Sequence, residues 1–185
     1  MYQPTGVGDS FRIASYGLPP SKIIEVVNNR LSRYNEDDLT LSAWFGIYEI
    51  STGRVTAVNA GHECPLMVSG DGLKEIDEDI CGFIIGMTEG ISYQEYSFSL
   101  EPGSHLFLYT DGILNAVNSA GESFGYDRMI KAISEANSST DSTDRDGLYE
   151  SMRHEIGAVQ DAVFEFAGNE TLCVDITMLV LGRND

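Results

Sequence analysis

Tyr109-Thr110-Asp111-Gly112 closes an apolar run that begins at His105 and follows a Pro102-Gly103 turn signal. An apolar run bounded by turn residues reads as a buried strand, and this one delivers a carboxylate, Asp111, to an edge. Asp-Gly is also ordinary turn chemistry. The stretch therefore takes its meaning from three others: Asn59-Ala60-Gly61-His62, Asp175-Ile176-Thr177, and Gly8-Asp9-Ser10-Phe11 near the start.

Outward from that strand the pattern is mixed. Pro20 suits a helix start, where its missing N–H would be unpaired anyway. Ile23, Ile24, Val27, Leu31 and Tyr34 recur at helical spacing and predict a helix to about Tyr34. Leu39 to Ile50 and Val55 to Ala60 predict strands joined by a hairpin turn at Ser51-Thr52-Gly53-Arg54. A second hairpin is predicted from Leu66–Val68 and Leu73–Ile76 around Gly70-Asp71-Gly72. Tyr96, Phe98 and Leu100 alternate with polar residues, as in a strand with one covered face. Helices are predicted over Tyr126 to Ala136 and Leu148 to Phe166, with a Ser/Thr/Asp-rich loop between them. The second has Met152, Ile156, Val159 and Val163 on its apolar side, and Gly157 weakens its middle by about 1 kcal/mol relative to alanine. Asp175 to Leu181 predicts a final strand. Residues 1–17 carry little pattern. Neither an internal repeat nor a second domain is visible, so the expectation is one α+β domain of strands with helices packed on them.

Composition narrows the function classes. The 185 residues suffice for a domain with a substantial core, and 42% are apolar. Acidic residues number 29 against 11 basic, a net charge of −18. That excess argues against nucleic acid, whose phosphates demand a basic patch, and against anionic membrane surfaces. Three cysteines without a C-x-x-C pattern suit buried thiols in a reducing compartment. No leader pattern and no apolar run of about 18 residues is present, so the expected location is the cytoplasm.

The ordered blocks resemble the SpoIIE/RsbU family of bacterial PPM-type (protein phosphatase 2C-like) serine phosphatases. Thr52-Gly53 through Asn59-Ala60-Gly61-His62 to Pro65 is similar to that family's "tG…NAGH.P" segment. Leu100-Glu101-Pro102-Gly103 through Asp111-Gly112 is similar to "L.PGd.L.lYTDG". Gly121-Glu122-Ser123-Phe124-Gly125 is similar to "ge.FG", and Asp175-Ile176-Thr177-Met178-Leu179 to the closing "DDiTml". The resemblance runs from about Pro20 to Leu181. It implies a layered β-sandwich flanked by helices, Mg²⁺ or Mn²⁺ as a two-ion cofactor, and a phosphoserine on an anti-sigma-factor antagonist or similar signalling protein as substrate. The sequence departs from the family in two places. Val174 stands where the first aspartate of the closing pair holds metal, and the motif whose aspartate bridges the two metals has no counterpart between Asp9 and Pro20. The expectation is a domain reduced at its N-terminal side by a strand-turn-helix portion.

Phosphomonoester hydrolysis suits a two-metal site that activates water and clamps the phosphoryl oxygens. Hard cations take oxygen ligands, and aspartates at strand ends can supply them. The resemblance implies Asp111 as a ligand with Gly112 beside it, Asp175 as a ligand or a supporting group, and Asp9 as the early aspartate. Neighbours on a strand face opposite ways, so in family register Val174 faces the metals and Asp175 does not. His62 is expected to be a hydrogen-bonded structural residue, and Trp44 with its aromatic neighbours to be core. His105 and His154 lack metal-ligand spacing. Two readings follow: an active phosphatase, or a non-catalytic relative that keeps the fold and binds a regulatory or phosphorylated protein. A homodimer formed through an exposed sheet edge is a further expectation.

Overall fold

The computed structural model describes residues 17–35, 38–76, 80–137, 145–168 and 175–184. Asp9, Val174 and Cys173 lie outside the described residues. The chain forms two compact units, each assembled from separated stretches.

The first unit contains helix α1 (Pro20–Arg33) and strands β1 (Ala43–Glu49), β2 (Arg54–Ala60) and β5 (Glu95–Ser99), in the antiparallel order β1-β2-β5. α1 starts on Pro20 as predicted. Its stripe of Ile23, Ile24 and Val27 is buried, with Ile24 and Val27 packing among Val58, Ala60, Ile85 and Tyr93. Tyr34 lies just past the helix and is 68% exposed, so the apolar face ends one turn earlier than its spacing suggested. The predicted hairpin turn is present: Gly53 N–H donates to the Glu49 carbonyl at 2.8 Å, and Gly53 has φ 78°. β1 begins at Ala43, later than the Leu39 expected. The reason is local. Asn35 holds Leu39 through its side chain in both directions, and Leu41 pairs with Ile85.

Trp44 is half-buried, which corrects its expected place in the core. Its ring lies over Gly46, and its indole N–H donates to Tyr96 Oη at 2.6 Å. Cys81 is exposed and Cys64 half-buried, so the expectation of buried thiols also fails for these two.

The loop at residues 85–90 is strapped to α1. Asn28, fully buried, accepts from Gly86 N–H and donates to the Thr88 carbonyl. Asn29 accepts from Gly90 N–H, and Arg33 pairs with Glu89 at 2.8 Å. The hydrogen bond from Arg33 holds the Glu89 carboxyl below its ordinary pKa.

The second unit holds β3 (Leu66–Ser69), β4 (Gly72–Glu75), β6 (His105–Tyr109) and β7 (Met178–Gly182), in the antiparallel order β4-β3-β6-β7. Helices α2 (Tyr126–Asn137) and α3 (Arg145–Ala167) complete it. Leu66, Val68, Phe107 and Tyr109 from the sheet cluster with Met129 and Ile133 of α2 and with Val159 and Val163 of α3. The Pro102-Gly103 turn sits as read: Gly103 has φ 79°, and Ser104 N–H donates to the Glu101 carbonyl at 3.0 Å. The two antiparallel sheets and three helices among the described residues are the parts that the layered expectation requires. Among the described residues, no helix is long and apolar enough to cross a membrane.

The buried side of α3 departs in part from the sequence reading. Val159 and Val163 are buried as expected and Ile156 packs half-buried against the core, but Leu148, Ser151, Glu155 and Ala167 are buried with them, while Met152 is only half-buried. Glu155 is fully buried and meets His105 of β6, itself 3% exposed, with Nε2 to Oε2 at 2.7 Å.

Candidate active-site segment

β6 ends at Tyr109, and Thr110 turns the chain out of the sheet. Asp111 follows on the surface in a tight turn: Ile113 N–H donates to the Thr110 carbonyl and Asn115 N–H to the Asp111 carbonyl. Asn115 Nδ2 also donates to Asp111 Oδ2 at 3.2 Å, so Asn115 orients the carboxylate. Gly112 is buried, and it is not among the glycines with positive φ. Its place in the turn does not rest on left-handed backbone.

Thr110 brings the closing segment alongside. Its N–H donates to the Thr177 carbonyl at 3.1 Å, and its hydroxyl accepts from Thr177 N–H at 3.0 Å. The same hydroxyl donates to the Asp175 carbonyl at 3.4 Å. Asp111 and Asp175 thus sit on two segments tied through one threonine. Thr110 lies inside the deciding motif, yet no sequence signal marks this role. It also explains a correction. The final strand starts at Met178, not at Asp175. The Thr110 hydroxyl takes the Thr177 N–H that a backbone carbonyl would otherwise pair, and the ladder ends there. Asp175 is therefore exposed and off the strand, and strand alternation does not set its direction.

The loop after Asp111 is closed by further bonds. Phe124 N–H donates to the Ala116 carbonyl and Gly125 N–H to the Leu114 carbonyl, at 2.7 and 3.0 Å. Asn118 Oδ1 accepts from the N–H groups of Ala120 and Glu122, which forms the Gly121 turn.

The Asn59-Ala60-Gly61-His62 segment, in the first unit, is a structural turn. Buried Asn59 accepts from His62 N–H at 2.8 Å and donates to the His62 carbonyl at 2.9 Å. His62 Nδ1 lies 3.0 Å from the Glu63 carbonyl oxygen, as suits a hydrogen-bonded structural histidine. Gly61 is required twice over: its φ is 73°, and a Cβ there would meet the Ile84 side chain. Gly61→Ala is expected to destabilise the protein by about 1–3 kcal/mol, read from the urea midpoint. A change within about 0.5 kcal/mol would show that the turn relaxes freely.

Among the described residues, no three His, Cys, Asp or Glu side chains gather as a metal site. Asp111 and Asp175 have the hard-oxygen chemistry that Mg²⁺ and Mn²⁺ prefer, but two carboxylates do not fit a two-ion centre.

The fold is that of protein phosphatase 2C-type domains. The SiaA PP2C domain of Pseudomonas aeruginosa superposes with a TM-score of 0.75 at 19% identity, over 98% of this chain and 68% of that one. The pattern of the Stage II sporulation protein E (SpoIIE) family matches residues 11–184, and the chain belongs to that family. Protein IcfG of Synechocystis is 30% identical over 141 residues, which cover 76% of this chain and 20% of IcfG. Phosphoserine phosphatase RsbU of Bacillus subtilis is 22% identical over 97 residues, which cover 52% of this chain and 29% of RsbU. The chain thus spans under a third of the length of these curated relatives.

Proposed function

We propose that this chain is a single serine phosphatase domain of the SpoIIE/RsbU type, acting on a phosphoserine signalling protein such as an anti-sigma-factor antagonist in the cytoplasm. The observation that carries the reading is the Thr110 junction, which sets Asp111 and Asp175 on adjoining segments at the end of β6. The similarity to a phosphoserine phosphatase supports the substrate class. In this reading Asp111, oriented by Asn115, is the principal carboxylate, Asp175 assists, and Asp9 is the remaining donor toward Mn²⁺ or Mg²⁺.

One observation favours a second reading. The described carboxylates do not make up a two-ion set, and Val174 stands at a ligand position of the family. A domain that keeps the fold and binds a phosphorylated or regulatory protein without turnover fits that. Phosphate release from p-nitrophenyl phosphate and from a phosphoserine peptide in millimolar Mn²⁺ separates the two. For the catalytic reading, Asp111→Ala is expected to lower turnover by about 100-fold or more. Turnover equal to that of the variant would establish the non-catalytic reading.

A further inference from the structure

Beside the Thr110 junction lies a cavity of about 420 Å³. Its apolar lining includes Ile113, Val159 and Val163, which are at most 1% exposed. Phe164 lines it too and is 52% exposed, so the cavity opens to the surface. Two polar residues are in its lining, Gln160 and Asp175, and both are exposed. An apolar recess of a few hundred Å³ with one or two placed polar groups is the usual form of a ligand pocket.

Its position says what it would receive. Ile113 lies two residues after Asp111, and Asp175 is itself part of the wall. Anything seated here therefore touches Asp175 and the turn that follows Asp111. We propose that the cavity takes an apolar side chain, leucine- or phenylalanine-sized, from a residue flanking the phosphoserine of the protein substrate, with a basic residue next to it. The apolar wall selects the first, because burying such a side chain removes apolar surface from water. Charge selects the second: a chain with net charge −18 favours a basic neighbour over an acidic one. This names the substrate class of the phosphatase reading and rests on it for the phosphoserine. The occupant of the cavity can be tested separately.

Methyl NMR of the full chain, following Ile113, Val159 and Val163, reads occupancy without needing turnover. The probes are serine and phosphoserine peptides carrying leucine, phenylalanine or alanine beside the serine, each with or without an adjacent lysine. Leucine and phenylalanine peptides with lysine are expected to shift these methyls, and the alanine peptides to bind at least about 10-fold more weakly. Gln160→Trp, an exposed helical position facing the cavity, is expected to abolish the shifts while thermal unfolding stays unchanged. Phosphate release from p-nitrophenyl phosphate should likewise be unchanged. Methyls that ignore every peptide, or that shift on raising protein concentration alone because a second copy fills the cavity, would overturn the proposal. Turnover with no preference at the flanking position would do the same. Peptide-dependent shifts without phosphate release from any substrate would keep the pocket and defeat only the catalytic reading.

Discussion

Truncating Glu155 to alanine is expected to destabilise the protein by about 3–5 kcal/mol, a fifth or more of the stability of an ordinary domain. Glu155 and His105 are 0% and 3% exposed, and their one hydrogen bond is 2.7 Å long. His105 Nδ1 and Glu155 Oε1 are also buried and have no hydrogen-bond partner among the described residues. The pair is thus half-satisfied, and removing the carboxylate strands the imidazole entirely. Restoring apolar character on both sides, as in His105→Phe with Glu155→Leu, is expected to return stability to the wild-type value or raise it. Urea unfolding with both midpoint and slope measured checks this, since an unchanged slope certifies that the native fold is the reference. A double variant as unstable as the single one would show that packing of α3 on β6 needs the polar pair itself. Glu155→Gln adds a discriminator. It keeps an acceptor for a neutral imidazole N–H, so a cost near 1 kcal/mol means a neutral hydrogen bond, and a cost of several means an ion pair.

That pair marks the boundary of what the sequence reveals. Local signals were legible: Pro20 and the Ile23, Ile24, Val27 stripe placed α1, Thr52-Gly53 placed the first hairpin, and Pro102-Gly103 placed the start of β6. Each of these is decided by residues within a turn or two of one another. On α3, Val159 and Val163 were legible as inward, but Ser151 and Glu155, buried beside them, look like surface residues. Glu155 is made an interior residue by His105, 50 positions earlier. No spacing rule carries that partnership. The start of β7 was lost in the same way. Asp175-Ile176-Thr177 continues the apolar run, and only the Thr110 side chain, 67 residues away, ends the ladder at Met178. In the candidate site Asp111 was legible as the end of a strand. The tie to Asp175 was not, because it runs through a side chain that belongs to neither carboxylate.

Phe124→Ala is expected to cost about 3–5 kcal/mol and to loosen the turn that carries Asp111. Phe124 is 2% exposed and meets Phe166 of α3 edge-on, at 5.5 Å between centroids and 70° between planes. Such a contact adds about 0.5–1.5 kcal/mol to what area burial alone provides. Arg128 locks the arrangement from outside. Its guanidinium lies 4.6 Å from the centre of the Phe166 ring and donates to the Phe124 carbonyl at 2.7 Å. The ring therefore joins α2, α3 and the loop after β6. That loop is closed through Phe124 N–H and Gly125 N–H, so a cavity at Phe124 weakens the restraint on residues 111–116 as well as the core. Amide exchange should report both effects. Protection at Phe124 and Gly125 should fall by more than the loss of global stability accounts for, while β6 amides fall only by the global amount. Phe124→Leu, which keeps most of the volume, should cost less than half as much and leave the loop protected. Equal loss of protection in loop and strand would mean that the loop opens only with the whole unit. Asp111 would then be positioned by the sheet and not by the phenylalanine cluster behind it.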